Sequence, residues 1–373
     1  ILQPGASLTN RGTLQVSGGL YGAAGSINNI QAGLAVGSIE MNGDCSTSQP
    51  LAGNVFVNNL VKDFKVSNDV TISSVNGEQL NIEGTLSFGA VPGKTLFTGD
   101  NVNLKSTANA TANVANMTGH SISGKVTVER YVNTGLPADG RHPKSWQFLA
   151  TPAKNQSVFQ SWQESGATPA GFGTIITGTG SGFDITTAQP SMKFFDPTIG
   201  AAGDWTGISN TGNGIADQRG YMVFVRGDRT VNTSSAPANP TTLRIKGDLF
   251  QPNDAPPVTT VLAGKIAAVG NPYASAIDLV YMKDNGLFVN LNNDVTVWDP
   301  LLYGSYGLGG YQTLSAANNY EPTAGSTATA YYPAGVPSPT IQSGQAFFVR
   351  SSGPAGSISF TEACKVNSNR LVN

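Results

Sequence analysis

The chain has 373 residues, 39% of them hydrophobic and only 12% charged, with a formal net charge of −2. That balance excludes the basic face on which nucleic-acid binding depends, and no apolar run approaches the roughly 20 residues of a membrane-spanning helix. With 45 glycines and 21 prolines, turns interrupt the chain throughout, which favours short strands over long helices.

The length predicts two or three domains, and three are drawn. Residues 1–125 read as a ladder of short strands with small polar turns. Thr13–Val16, Ser38–Met41, Asn54–Val57, Phe64–Val66, Val70–Ile72, Leu80–Ile82, Thr85–Phe88, Lys94–Phe97, Val102–Leu104 and Ser121–Ser123 mostly alternate apolar with polar, as half-buried strands do. Rungs this short and this rich in Asn favour a β-solenoid over a β-sandwich. Lys125–Val132 is the cleanest alternating strand and opens the second region.

Beyond it, three motifs occur twice in the same order. Trp146-Gln-Phe-Leu-Ala-Thr-Pro152 is echoed by Ile266-Ala-Ala-Val-Gly-Asn-Pro272. Lys193-Phe-Phe-Asp-Pro197 returns as Thr296-Val-Trp-Asp-Pro300, and Gly220-Tyr-Met-Val-Phe-Val-Arg226 as Gly344-Gln-Ala-Phe-Phe-Val-Arg350. Shared order makes this an internal duplication. It predicts two similar, jelly-roll-like β-sandwich units, 126–255 and 256–373. Gly220–Arg226 and Gly344–Arg350 are then expected as equivalent central strands, with Phe224 and Phe348 buried. A helix is expected over Gln156–Glu164, where Val158, Phe159 and Trp162 share an apolar face, and a shorter one around Ile277–Met282. Thr323–Ala334 and Gly335–Pro339 read as an exposed loop. The fold class is all-β.

Val126–Tyr131, Ser145–Pro152, Gln160–Glu164 and Gly173–Gly178 follow one another at short range, and Gly220–Asp228, Val269–Ser275 and Gln342–Val349 continue the series. Over about residues 35–365 the succession resembles the large Gly- and Asn-rich surface proteins that Bacteroidota export by the type IX secretion route. The resemblance implies a secreted or cell-surface location. Such proteins normally end in a sorting domain that is cut off, so the chain, from Ile1 to Asn373, resembles the mature form.

No constellation points firmly to catalysis. Arg226-Gly227-Asp228 matches an integrin-binding tripeptide but is ordinary turn chemistry after a strand. His120 and His142 are far apart, and no Gly-x-Ser-x-Gly elbow accompanies them. Two carboxylates across a cleft would make a glycosidase, yet Asp196 and Asp299 precede proline in both repeats, where a carboxylate caps local N–H groups. Asp284-Asn285-Gly286 and Asn292-Asn293-Asp294 offer oxygen ligands to calcium without an EF-hand series; no cofactor is expected. Trp205, Tyr303, Tyr306 and Tyr311 are the aromatics that could stack on sugar rings. In an exported chain Cys45 and Cys364 are expected to be oxidised, within one chain or between two.

The function expected is structural: an extracellular, self-assembling subunit of a surface filament or sheath, not an enzyme. Low charge and many strand edges favour association, with the N-terminal segment, including Ile1, Leu2, Leu14 and Val16, docking on a neighbouring copy. A carbohydrate-binding adhesin module is the alternative, and a glycan-cleaving enzyme a more distant one.

Overall fold

The computed structural model describes residues 5–44, 46–73, 77, 79–134, 143–215, 218–254, 257–302, 309–322, 332 and 336–367. The protein is nearly all β, and its N-terminal region is a parallel β-solenoid of about five turns. The solenoid has three faces. Thr13–Val16, Ser38–Met41, Phe64–Val66, Thr85–Phe88 and Asn113–Val114 stack on the first, and Gln49–Ala52, Val70–Ser73, Thr95–Phe97 and Ser121–Ser123 on the second. Leu60–Val61, Leu80–Ile82, Val102–Leu104 and Val126–Val132 form the third.

Register explains the stack. Leu60 pairs with Asn81, 21 residues on, and Leu86 with Val114, 28 on, so each rung brings the same parity of side chain inward. Ile39, Phe64, Leu86 and Val114 form one buried column, and Ile82, Leu104 and Val128 another. Corners are held by carboxylates that reach one rung ahead. Asp63 Oδ1 accepts from Thr85 N at 2.8 Å, Asp69 Oδ1 from Thr95 N at 2.7 Å and Asp100 Oδ1 from Lys125 N at 2.7 Å. Each satisfies an N–H that the turn leaves without a ladder partner. The Asn-rich composition has a like cause: Asn103 Nδ2 donates to Asn81 Oδ1 on the rung before (3.0 Å) and to Glu129 Oε1 (2.9 Å).

One strand expectation fails here, and one strand appears that was not expected. Asn54–Val57 is not a strand but two 3-10 turns flanking Phe56, with Asn58 and Asn59 in the left-handed region. Gln49–Ala52 is a strand despite Pro50, because it lies at the end of its face, where a missing N–H costs no ladder bond.

After Val126–Val132 the chain forms one further sheet, returns through Thr241–Gly247, which joins Val126–Val132 antiparallel, and then enters a second. In the first, the order is Ser145–Leu149, Tyr221–Val225, Met192–Asp196, Asp204–Gly207. In the second it is Ile266–Gly270, Ala346–Arg350, Val295–Asp299, Gly310–Ser315, with Glu321–Pro322 added at the edge. All neighbours are antiparallel and the order of the four strands is the same, so the duplicated unit is a four-stranded antiparallel sheet whose last strand lies between its first and second. The motif alignment needs one correction. Trp146 pairs with Phe224, yet Ile266 pairs with Arg350 and Ala268 with Phe348. The last strand of the second unit has slipped by two residues, so Phe348 stands where Met222 stands in the first and Arg350 where Phe224 stands. A two-residue slip keeps every side chain on its face. Phe348 is buried as expected, whereas Phe224 is only half-buried.

The first unit shares the solenoid's core, which runs from Ile27 through Val128 and Leu149 to Val223 and Leu243. The second has its own, from Phe250 to Cys364, covered by two three-stranded sheets. The two repeated sheets meet through Phe148, Ala150, Met222, Ala268, Ala346 and Phe348. Residues 156–164 form irregular turns, not an α-helix. Val158 and Trp162 are buried but Phe159 is 39% exposed, so two of the three apolar residues face the core, and Glu164 and Ser165 have positive φ. Leu279–Asp284 is helical, with the Asp278 carboxylate capping Val280 N and Tyr281 N.

Candidate functional site

The contact between the repeated sheets follows a local two-fold relation. Residues 120 apart in the leading strands and 126 apart in the central strands exchange roles. Leu149 bridges Gln345 while Val269 bridges Arg219. Ala150 N donates to Gly344 O at 2.9 Å, and Gly270 N donates to Gln218 O at 2.9 Å. This is the isologous pattern of a symmetric dimer, built within one chain. Equivalent residues meet on its axis. A Cβ on Gly270 would lie 2.4 Å from the Ala150 Cβ, so one of the two must be glycine. Trp205 and Tyr311 are the other pair: the Trp205 indole N–H donates to the Tyr311 hydroxyl at 3.2 Å.

A glycine in each unit makes room for the aromatic before Asp-Pro. A Cβ on Gly203 would stand 2.4 Å from the Phe195 ring, and one on Gly309 2.5 Å from the Trp298 ring; both have positive φ, +87° and +102°. Phe195 and Trp205 then pack edge to face at 5.6 Å, and Trp298 and Tyr311 at 4.8 Å. Beside this cluster lies a cleft of about 350 Å³ lined by Phe195, Trp205, Tyr311 and Phe348, with Asp294, Thr296 and Arg350 at its polar side. Asp294 Oδ1 accepts from Ala316 N at 2.8 Å, which fixes the carboxylate and leaves its other oxygen to solvent. Among the described residues Arg350 has no carboxylate partner, and its residue is exposed. Its motif counterpart Arg226 is used internally, donating to Ile175 O at 3.3 Å and lying 5.0 Å over the Phe224 ring.

No protein-family model, curated protein or solved structure matches this chain.

The residues singled out in the sequence fare differently. Trp205 and Tyr311 come together at the cleft; Tyr303, Tyr306 and His142 lie outside the described residues. Asp196 Oδ1 accepts from the N–H and hydroxyl of Thr198, which hold its carboxyl below the ordinary range. Asp299, fully buried, accepts from Leu301 N and Tyr332 N. Both Asp-Pro carboxylates are thus turn caps. The Arg226-Gly-Asp228 tripeptide is not displayed, since Asp228 is buried. Burial alone would raise its carboxyl, but hydrogen bonds from Gly171 N and Thr230 outweigh that and hold it low. His120 is buried and stacked on Phe88 at 4.8 Å; burial pushes its imidazole down. Asp284 pairs with Lys283, and among the described residues no three His, Cys, Asp or Glu side chains converge as metal ligands do.

The disulfide expectation needs correction. Cys364 is a free thiol, fully buried, 3.0 Å from the Thr361 carbonyl; Cys45 lies outside the described residues. A thiol with no exposed surface has no route to a neighbouring subunit without local opening.

The assembly residues also divide. Ile1 and Leu2 lie outside the described residues. Leu14 and Val16 are half-buried, packed in part against their own chain's core and in register with Ile39 and Met41. What the strand leaves open is its backbone edge. It is the terminal strand of its sheet, and among the described residues nothing pairs with its outer side. Since Ser38 N donates to Gly12 O and Asn42 N to Val16 O, the N–H groups of Thr13 and Gln15 point outward. Arg350, Asp294 and Thr296 were not foreseen as one site. No sequence signal singles out Arg350, since the motif alignment sets it opposite an identical residue, Arg226, and only the two-residue slip brings it to the cleft.

Proposed function

We propose that the chain is a structural subunit of an extracellular filament or sheath, assembled through the open edge of its first solenoid rung. The observation that carries this reading is the contrast between the solenoid's two ends. At the far end the later sheets cover all three faces: Thr241–Gly247 pairs with the third, the Gln251 amide brackets Ile122, and Ala274 O receives Val114 N. At the near end, Leu20 bridges Leu51 and the Asn29 amide caps Leu60 O, so two faces are covered. Two strands there have no partner on their outer side among the described residues, Leu8–Thr9 and the longer Thr13–Val16, and the latter ends a five-stranded face. An uncovered edge of a parallel stack is a template for another strand, and low charge offers little repulsion against it. The counterpart we infer is the Val258–Val261 edge strand of a second copy, where Val258 and the following Leu262 are 53% and 45% exposed. A contact between two different surfaces is heterologous and propagates. The surface location rests on the resemblance to exported Bacteroidota proteins.

Light scattering and electron microscopy of the full chain test this reading. Thr13→Pro with Gln15→Lys removes an outward donor and adds an edge charge while sparing the inward ladder. We expect wild-type polymers and a folded, monomeric variant. A wild type that stays monomeric at high concentration, or a variant that polymerises equally well, overturns the proposal.

A further inference from the structure

We infer that the cleft between the repeated sheets is a saccharide-binding site. The inference is independent of assembly and rests on what the duplication does to one space and not to its twin. The local two-fold relation generates a second such space on the opposite side of the axis. There the counterpart of Ile266 is Trp146 and that of Arg350 is Phe224. The two rings pack at 5.3 Å, Lys193 Nζ lies 5.3 Å over the Trp146 ring, and the Trp298 indole donates to Trp146 O at 2.8 Å. That twin is filled by aromatic side chains. In the open space smaller or polar groups occupy the same positions, and about 350 Å³ is left, a size within the lower range of ligand pockets.

The lining matches the two sides of a sugar. Trp205 and Tyr311 present aromatic surface on which the C–H face of a pyranose packs, and Tyr311 keeps 46% of its surface exposed. Asp294, held by Ala316 N, accepts from hydroxyls with its free oxygen. Arg350, with no carboxylate partner among the described residues, donates to hydroxyls or to a sugar carboxylate. Opposite charges on one wall satisfy groups that both donate and accept, as vicinal hydroxyls do. An apolar peptide would leave both charges without a partner.

The test is a glycan array of defined neutral and uronic-acid oligosaccharides, probed with the full chain, followed by titration of the best oligosaccharide monitored by tryptophan fluorescence. Arg350→Ala and Asp294→Asn, both at exposed positions, should each weaken binding about 10-fold or more. Ile266→Trp with Arg350→Phe, which copies the filled twin, should abolish it while circular dichroism and melting stay near wild type. If no oligosaccharide on the array binds, the inference is wrong. It is equally overturned if binding survives both single substitutions, or if the filled variant folds and still binds.

Discussion

At the scale of single residues, the chemistry of this chain is mostly spent on its own backbone. Asp63, Asp69 and Asp100 bind the next rung, Asp196 and Asp299 close turns, and Asp228 closes a loop. Cys364 shows how burial decides reactivity. Removal from water pushes its thiol from 9.0 to about 11, because the thiolate loses its hydration. A folded value above the unfolded one favours folding below pH 9 and loses that contribution as pH rises through 11. We expect a disulfide-exchange reagent at pH 8 to leave Cys364 unmodified in the native protein. After unfolding without reductant it should react promptly. No titratable thiol in the unfolded chain would restore the disulfide.

At the scale of elements, the two repeats fit together because they are not identical. The axis admits one Cβ where Ala150 faces Gly270, so perfect symmetry would clash. Gly270→Ala should cost about 1–3 kcal/mol by overpacking. Adding Ala150→Gly moves the single methyl to the other sheet and should recover most of that loss, a coupling that chemical denaturation of the two single and one double variants would measure. Equal losses in the single and double variants would show that Gly270 matters for another reason, such as its approach to the Arg219 carbonyl at 3.0 Å.

At the scale of the whole molecule, a single buried cluster runs through the solenoid and the first repeated sheet, and we expect the two to unfold as one cooperative body. Polar links extend this to the second unit: Glu362 Oε2 accepts from Met117 N at 3.0 Å, and Arg130 donates to Ser343 O at 2.6 Å. All four tryptophans lie beyond residue 145, outside the solenoid, whereas circular dichroism reports every strand. Thermal unfolding followed by both signals should therefore give coincident transitions. A dichroism change that precedes the fluorescence change would mean that the solenoid melts by itself.

Local pattern alone determined much of this protein. Alternation in Val70–Ile72, Leu80–Ile82 and Val102–Leu104 specified strands because an inward side chain every second residue suffices to build a rung, whatever surrounds it. The order of three repeated motifs likewise revealed a duplicated sheet. Only the tertiary structure decided the rest. The two-residue slip of Ala346–Arg350 is invisible in sequence because it preserves the parity of the strand, yet it places Arg350 at the cleft and Phe348 in the interface. The turns over 156–164 replaced a helix because Phe159 found no core to face. The cleft itself exists only through the meeting of the two sheets. Its residues come from strands far apart in the chain, and whether a space between them is filled or empty depends on volumes that no local period encodes.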